Sequence, residues 1–485
     1  MKCLFIKSVL VLLLGVVLFS GIAHALNEKE VVEKTTAFLE KLHSQDKFSG
    51  AVLIAKDSIP IFKKAYGYAN RSFNVPNQID TKFNLGSMNK MFTAVAILQL
   101  VEKGTLILDG KIIDFVPDYP NKDLASRVTI HQLLTHTSGL GSYWTEEFMT
   151  TSKDLFREIE DYLPLFVNDS LLFEPGSQYS YSNAGFMVLG YIIEKVTGQS
   201  YFNYVRENIY KPAGMINTDA YENDYVVPNV AIGYTTFQAR PGEIKNNVFM
   251  HVVKGGPAGG GYSTVEDLLM FRNALMNNRL LSQPYTTMAL SGKVKTDPNV
   301  MYAYGFRDRV ENGHHIVGHT GGFPGISGYL GIFADLGYTV AVLSNVDNGY
   351  SEPVLFIEEL LVGETQRTKN RKLTEMVLAE AITNGYEAAV ELYQKNKEMG
   401  VIGERTANAR GYELLGQGKV REAVDVFRLN VYLYPESANT YDSLGDAYIL
   451  AGDTELAIKS YEKSLALDPT NKNAVEKLKQ LKGNR

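Results

Sequence analysis

Two segments with the pattern of β-strands, far apart in the chain, constrain the fold more than any other feature of this sequence. Residues 49–55 form an apolar run, a turn follows at Asp57-Ser58, and residues 60–68 have the pattern of an antiparallel neighbour. The strand pattern returns over residues 302–346, where a turn at residues 335–337 separates the two strands of a predicted hairpin. Strands at both ends of a segment indicate one antiparallel sheet built from its two termini.

Helical patterns fill the rest of this segment. Asn27 is placed to cap a helix that runs to about His43. Periodicity predicts further helices over about 87–103, 152–162, 184–197, 200–210 and 264–277, separated by loops that contain Gly and Pro. The sequence therefore predicts an α+β domain over residues 26–365, with an antiparallel sheet flanked by helices.

A repeat with a period of 34 residues follows Gly363. The recurring residues are Gly411, Gly418, Ala423, Phe427 and Pro435, which reappear as Gly445, Gly452, Ala457, Tyr461 and Pro469. This pattern resembles the tetratricopeptide repeat, in which each copy is a pair of helices. We expect the small alanine to let the helices of one pair approach, and the aromatic residue to fill the gap to the next pair. An unrelated helical hairpin is the alternative.

The resemblance to the repeat implies an all-α domain over residues 370–485. It would contain a degenerate copy at about 370–403, two well-formed copies at 404–437 and 438–471, and a terminal helix over 472–485. Stacked helix pairs need about three copies to bury a continuous core, and the degenerate copy supplies the third. Such domains usually hold a peptide or a protein segment, so we expect a protein or peptide partner here.

Charge and cysteine content exclude several classes of function. The chain has 485 residues with a formal net charge of −6, and no Lys/Arg-rich run occurs, which argues against nucleic acid as a partner. The single cysteine, Cys3, excludes a disulfide framework and a cysteine-based metal cluster. The histidines do not fall at metal-ligand spacing, so we expect neither a metal nor a cofactor.

The first residues have the pattern of a secretory signal. Lys2 and Lys7 precede an apolar run of 11 residues from Val9 to Phe19, and Ala23-His24-Ala25 has the A-x-A form that signal peptidase accepts. The run is about half of the ~20 residues needed to span a bilayer. Residues 1–25 are therefore predicted to be a cleaved signal peptide, which leaves no stable membrane span. We expect an exported protein, periplasmic or extracellular; a retained anchor is the weaker alternative.

Three Ser-x-x-Lys sequences occur, and only one of them lies at a position that favours catalysis. Ser44 is predicted to lie in a loop, and Ser460 inside a repeat helix. Ser87 begins a long apolar helix directly after Gly86, where backbone N–H groups are free to stabilise an anion. Lys90 projects from the same face and can reach the Ser87 hydroxyl. The simpler interpretation of Ser87 is an N-cap serine.

Two further short elements accompany Ser87. Of the Tyr-x-Asn sequences, only Tyr181-Ser182-Asn183 lies in a polar loop immediately before an apolar helix. His319-Thr320-Gly321-Gly322 enters the strands of the predicted hairpin, where glycine lets another group approach the backbone closely.

Taken in order, these elements on an α+β domain resemble the serine β-lactamase and penicillin-binding-protein superfamily. The likeness is strongest to the branch that contains class C β-lactamases, D-aminopeptidases and esterases. Further phrases typical of that branch are Leu133-Leu-Thr-His-Thr-Ser-Gly-Leu140, Glu174-Pro-Gly176 and Gly259-Gly-Gly-Tyr-Ser-Thr264.

The resemblance implies a role for each of these residues. Ser87 would be the nucleophile, Lys90 would help to deprotonate it, and Tyr181 would be the general base and later the acid. Asn183, His319, Thr320 and Gly321 would bind the substrate. The backbone N–H groups of Ser87 and Gly322 would form the oxyanion hole. Tyrosine has a reference pKa of ~10, so we expect a nearby cation, Lys90, to depress the pKa of Tyr181.

His319 departs from the pattern of most family members, which carry lysine at the corresponding position. Histidine is mostly neutral at pH 7 unless a partner raises its pKa. We therefore expect weak β-lactam hydrolysis, a peptidase or esterase activity, and a dependence of activity on the ionisation of His319.

The sequence predicts an exported serine hydrolase that forms an acyl-enzyme on Ser87 with a small peptide or ester. A D-amino-acid-containing or cell-wall-related peptide is the substrate class that the resemblance implies. The alternatives are an inactive scaffold whose repeats bind a protein, and a β-lactamase. Trp144 either walls the substrate cleft or packs a lid.

Overall fold

The computed structural model of this protein describes residues 27–240 and 242–483. The predicted signal peptide, residues 1–25, lies outside the described residues. No helix among the residues that the structure describes is long and apolar enough to cross a membrane.

An eight-stranded antiparallel sheet forms the centre of the first domain. In chain order its strands are β1 (Gly50–Lys56), β2 (Ile59–Tyr66), β3 (Val294–Asp297), β4 (Val300–Tyr302), β5 (Arg307–Glu311), β6 (His314–Phe323), β7 (Ile326–Phe333) and β8 (Tyr338–Ser344). Their order across the sheet is β2-β1-β8-β7-β6-β5-β4-β3. β1 pairs with β8, with Leu53 opposite Ala341, so the two ends of the domain meet in one sheet. The predicted α+β fold is confirmed.

Helices cover both faces of the sheet. The first, Glu28–Ser44, is capped by Asn27, whose Oδ1 accepts a hydrogen bond from the Lys29 backbone N–H at 3.2 Å. The further α-helices up to residue 362 are Asn89–Glu102, Ile112–Phe115, Lys122–Ala125, Ile130–Leu134, Glu146–Thr150, Asn183–Thr197, Tyr201–Val205, Lys211–Ala213, Val265–Met276, Gln283–Leu290 and Ser351–Val362. Short strand pairs join Tyr68–Asn70 to Val75–Pro76, Phe83–Asn84 to Tyr262–Ser263, and Tyr234–Thr235 to Lys245–Asn246.

The alternation of side chains along the strands divides the core in two. Leu53 of β1 and Leu343 of β8 belong to the larger core, which surrounds the helix Asn89–Glu102. Val52 and Val342, one position away, face the other side and pack with the helices Glu28–Ser44 and Ser351–Val362. Because successive strand residues point to opposite faces, one apolar run supplies both cores.

The helix Asn89–Glu102, called the central helix below, is buried on all sides. Every residue from Asn89 to Leu100 is buried, without a solvent-facing stripe. A helix that is apolar all round belongs in the interior of a domain. It therefore gives the residues that precede it, Ser87 among them, a rigid support.

Two predicted helices differ from the observed backbone. Residues 152–162 form two 3₁₀ turns, Lys153–Leu155 and Ile159–Leu165, and the second contains Pro164. The helix from Tyr201 changes to a π turn at Arg206–Tyr210, ahead of Pro212. Proline has no N–H to donate into a regular helix, which accounts for the irregular turns that contain Pro164 or precede Pro212.

The C-terminal region is helical, as predicted. Its α-helices are Gln366–Asn384, Tyr386–Asn396, Glu404–Gly416, Val420–Leu433, Ala438–Ala451, Thr454–Leu467 and Lys472–Gly483. The first pair begins at Gln366, slightly before the predicted start at about residue 370.

The aromatic residue of each well-formed repeat packs within its own helix pair. A Cβ on Gly411 would lie 2.4 Å from the Phe427 ring, and one on Gly445 would lie 2.7 Å from the Tyr461 ring. Phe427 also belongs to an apolar cluster with Leu444 and Ala447 of the next pair, and Tyr461 to one with Ala474 and Leu478 of the terminal helix. The expectation that the ring fills the gap to the next pair therefore stays a prediction. Glycine leaves room on the first helix for the ring of the second.

A buried carboxylate joins the sheet to the first repeat helix. Glu358, on the helix Ser351–Val362, accepts hydrogen bonds from the Tyr329 hydroxyl at 2.7 Å and from the Arg367 guanidinium at 3.0 Å. Arg309 of β5 also contacts Glu358. Because a buried charge needs partners, these contacts fix Arg367, and with it the start of the repeat domain, against the sheet.

Candidate active site

Ser87 lies in a tight turn that glycines hold between two other segments. The 3₁₀ turn Gly86–Met88 leads directly into the central helix, and Gly86 has a φ of +49°. The Gly260 N–H donates to the Gly86 carbonyl at 3.2 Å. On the other side, a Cβ on Gly86 would lie 2.8 Å from the Gly322 nitrogen. Only glycine combines this φ with so close an approach.

Lys90 is completely buried and faces Ser87, one turn along the chain. Its Nζ lies 3.3 Å from the Ser87 Oγ, 2.8 Å from the Asn183 Oδ1 and 2.5 Å from the Ala258 carbonyl oxygen. All three partners are neutral oxygens. Burial without a carboxylate partner lowers the pKa of the Lys90 ammonium well below its usual range. The lowered pKa makes the neutral form of the Lys90 amine more accessible at physiological pH.

Tyr181 completes the triad predicted from the sequence. Ser87 lies close enough to its phenol to lower the pKa of Tyr181, and the Lys90 Nζ lies 4.8 Å from the centre of its ring. Burial raises the pKa of the Tyr181 phenol well above its usual value, and the contact with Ser87 and the charge of Arg307 offset only part of this rise. The expectation that Lys90 depresses the pKa of Tyr181 was wrong, because the loss of solvent outweighs the nearby charges. Tyr181 keeps its proton at neutral pH.

His136, to which the sequence analysis assigned no role, contacts the loop that carries Tyr181 and Ser182. It is buried, and its ring lies 4.2 Å from the Tyr181 ring. The Ser182 N–H donates to the His136 Nδ1 at 3.0 Å, and Ser182 in turn caps the helix that begins at Asn183. The motif Leu133–Leu140, one of the features that resemble the family, contains His136 and is the sequence signal that could have identified it.

His319 is buried behind the site with both ring nitrogens engaged. Its Nδ1 lies 2.6 Å from the Thr320 carbonyl oxygen, which can only accept, so Nδ1 carries the hydrogen. The Tyr302 hydroxyl, 3.1 Å away, then donates to Nε2. Burial and the charges of Arg307 and Lys90 lower the pKa of His319 to about 3. The structure therefore argues against a dependence of activity on His319 ionisation near neutral pH.

The structure brings only part of the predicted site to one cavity. Ser87, Tyr181, Asn183 and Gly322 line a cavity of about 380 Å³. Lys90, His319, Thr320 and Gly321 are not among the residues that line it. Gly321 instead permits a close approach: a Cβ there would lie 1.8 Å from the Leu85 carbonyl oxygen. It keeps β6 against the Ser87 turn.

Aromatic side chains to which the sequence analysis gave no role form another part of the cavity wall. Tyr143 and Phe148 line the cavity with Trp144, and Phe323 follows Gly322 at the end of β6. Trp144 therefore walls the cleft, the first of its two predicted alternatives. The segments that carry these rings are far apart in sequence, so no local pattern linked them.

Arg307 is the cation that sequence reasoning missed. It opens β5, opposite Gly318 of β6, and its charge acts on Tyr181 and His319. Nothing in its sequence neighbourhood distinguishes it from other arginines.

The likeness to known proteins covers the whole first domain. The family model described as Beta-lactamase matches residues 32–362. The chain belongs to the beta-lactamase family. A second model, described as Tetratricopeptide repeat, matches residues 438–471.

Relatives of this beta-lactamase-family chain include penicillin-binding proteins. Penicillin-binding protein 4* of Bacillus subtilis (strain 168) is 30% identical over 342 residues, which cover 67% of this chain and 75% of the relative. A penicillin-binding protein structure from Bacillus halodurans is 34% identical, with a TM-score of 0.62, and covers 66% of this chain and 98% of that chain. A D-stereospecific amidohydrolase from Streptomyces sp. is 26% identical, with a TM-score of 0.58, covering 69% and 99%. The chain is a serine hydrolase of this family.

Two adjacent glycines of β6 give a matched test of the close approach. Gly321→Ala is expected to lower the free energy of unfolding by about 1–3 kcal/mol and to reduce Ser87 reactivity, because its methyl group meets the Leu85 carbonyl. Gly322→Ala is the control for stability, since no atom lies within 4 Å of its added Cβ. Urea unfolding measures the stability of both variants, and the rate of labelling by a fluorophosphonate measures the effect of Gly321→Ala on Ser87. Equal free energies of unfolding for the two variants would contradict the interpretation.

The burial of His319 predicts the shape of the pH profile. Because burial lowers the pKa of His319 to about 3, the ring is neutral throughout the range from pH 5 to 8. His319→Gln is therefore expected to lower the labelling rate of Ser87 without changing how that rate varies with pH over this range. If the labelling rate fell at the acidic end of this pH range in the unmodified protein but not in the variant, His319 would be shown to titrate in the range.

Proposed function

We propose that this protein is an exported serine hydrolase that forms an acyl-enzyme on Ser87 with amide or ester substrates. D-Amino-acid-containing or cell-wall-related peptides are the substrate class we propose. The observation that carries the proposal is the buried Lys90 amine, which faces the Ser87 hydroxyl and has only neutral oxygens as partners.

The contacts of Lys90 suit a neutral amine that acts as a base. A neutral amine has two N–H groups and one lone pair. Asn183 Oδ1 and the Ala258 carbonyl can accept the two N–H groups, which leaves the lone pair for the Ser87 hydroxyl. A serine hydroxyl becomes an effective nucleophile only when a base takes its proton. In our proposal Lys90 is that base, and its lowered pKa makes the neutral form available.

Tyr181 then serves as the proton donor. When the Ser87 Oγ bonds to the substrate carbonyl carbon, the Ser87 proton moves to Lys90, and the negative charge on the carbonyl oxygen faces the N–H groups of Ser87 and Gly322. The bond to the leaving group breaks as Tyr181, which holds its proton, donates it to the leaving atom and regains one from Lys90. Water reverses these steps and releases the acid. Each oxyanion donor contributes about 3–4 kcal/mol to lowering the barrier.

A β-lactamase is less well supported as the function. Lysine at position 319 would place a full charge near the substrate carboxylate, whereas burial keeps His319 neutral and its nitrogens are occupied. We therefore propose peptides and esters rather than β-lactams. An inactive scaffold is the remaining alternative, and it is an outcome of the test below.

Covalent labelling tests the roles of Ser87 and Lys90. Intact-protein mass after reaction with a fluorophosphonate is expected to show one adduct, which Ser87→Ala abolishes. Lys90→Met is expected to slow labelling by about 10²–10⁴-fold, the usual contribution of a general base. A penicillin adduct on the same serine would favour cell-wall peptides.

The other Ser-x-x-Lys sequences supply the controls for labelling. The hydroxyls of Ser44 and Ser460 donate to backbone carbonyls of their own helices, so Ser44→Ala and Ser460→Ala should retain the adduct. The absence of an adduct from the unmodified protein with both reagents would favour the scaffold, and the repeats would then carry the function. For the repeats we propose the binding of a protein or peptide segment.

Export is proposed from the leader pattern of residues 1–25. Expression of the full chain in a bacterium is expected to yield protein outside the cytoplasm whose N-terminus begins at Leu26. N-terminal sequencing of the fractionated protein measures this. Full-length protein recovered from the cytoplasm with Met1 intact would contradict export.

A further inference from the structure

The cavity beside Ser87 is walled by aromatic and aliphatic side chains and contains no formal charge. Among the residues described, those that line it include no Lys, Arg, Asp or Glu. Its walls come from residues 142–148, residues 250–252 and Phe323. A charged group placed in this cavity would lose its hydration without gaining an ion-pair partner.

The aromatic wall begins at the reacting centre. Phe323 is covalently next to Gly322, the predicted oxyanion donor, and both line the cavity. Trp144 lies edge-on to Phe323, with 5.0 Å between the ring centres, and its ring is 6.2 Å from that of Phe148. Ser87, Gly322 and these rings therefore line one cavity, so a group attached to the substrate carbonyl carbon has the rings within reach.

His251 adds a polar ring to this wall but no charge. Its ring lies 4.4 Å from that of Phe323, and neither of its buried nitrogens has a hydrogen-bond partner. Burial lowers the pKa of His251 to about 4, so the ring is neutral at physiological pH. Arg307, the cation near Tyr181, does not line the cavity. Neither residue offers a substrate carboxylate an exposed positive charge in this cavity.

We propose that the acyl group of the substrate carries a bulky, uncharged apolar substituent, aromatic or long aliphatic, which packs against Trp144 and Phe323. This inference rests on the proposed acylation of Ser87, whose substrate class it narrows. Burial of apolar surface against the rings supplies affinity, and edge-to-face contacts favour an aromatic group. Trp144 is the specificity-determining residue in this proposal, because its ring lines the cavity and packs edge-on against Phe323.

Three p-nitrophenyl esters that differ only in the acyl group test the preference. The phenylacetate is expected to have a kcat/KM at least about tenfold above that of the acetate, the scale of discrimination typical of hydrophobic pockets. The hemisuccinate, which carries a carboxylate, is expected to fall below the acetate. Trp144→Ala should reduce the phenylacetate preference to less than about threefold. Trp144→Phe should largely keep it.

Leu155→Ala is the matched control for the loss of an exposed apolar side chain. Leu155 is 61% exposed and does not line the cavity, so its variant should keep the full preference. Equal kcat/KM values for the three esters in the unmodified protein, or a preference for the hemisuccinate, would overturn the inference even where a fluorophosphonate labels Ser87.

Binding without turnover separates this inference from the proposed function. Trp144 is the only tryptophan of the chain, so intrinsic fluorescence reports on the cavity directly. In the Ser87→Ala variant, phenylacetamide is expected to change the emission saturably, whereas succinamate at the same concentrations leaves it unchanged. If no ester is hydrolysed and no serine is labelled, the proposed function fails, and this titration alone decides the cavity preference. An equal response to both amides would overturn it.

Discussion

The burial of the Lys90 amino group is the constraint on which the rest of the site depends. Its Nζ is held by oxygens from three separate segments: Ser87, Asn183 and Ala258. A buried amine without these partners would be strongly unfavourable, so the central helix, the Tyr181 loop and the glycine-rich segment must come together around it. The same burial sets the acid–base properties of the site. Burial lowers the pKa of Lys90, and burial of the Tyr181 phenol raises the pKa of Tyr181. A group suited to accept a proton and a group suited to donate one therefore lie beside the Ser87 hydroxyl.

Close backbone approach is the second requirement. Gly86, Gly259 and Gly321 each lie where a Cβ would be within 3 Å of another segment's backbone. The Ser87 turn is in this way held between β6 and the segment that follows Pro257. Side-chain packing alone would leave several ångströms between these backbones, and Ser87 and Gly322, the predicted oxyanion donors, would then not line one cavity. These glycines are needed because they have no side chain, which allows the neighbouring backbones to approach each other closely.

His319 shows how a motif can be recognised correctly and its chemistry still be misjudged. Its position in the sequence was clear, and the reference pKa of histidine suggested a titrating group. In the fold, the ring lies among Tyr302, Tyr181 and Thr320, where it is buried from solvent and both nitrogens are engaged. Charge in a protein is a property of the environment as much as of the residue type. The site accordingly presents an uncharged, aromatic face to its substrate.

The sequence by itself determined the architecture and the position of the predicted nucleophile, Ser87. Hydrophobic periodicity, the strand pattern at both ends of residues 26–365, the 34-residue repeat and the Ser-x-x-Lys spacing are local or periodic signals, and a single chain carries them in full. Only the tertiary structure decided which groups meet. Arg307 and the rings of Phe148 and Phe323 come from segments with no shared pattern, so their place around the site was not predicted, and the sequence left open which of two roles Trp144 has. The ionisation of Lys90, Tyr181 and His319 depends on exclusion of water, which is set by the packing of the whole domain and not by the residues next to them in sequence.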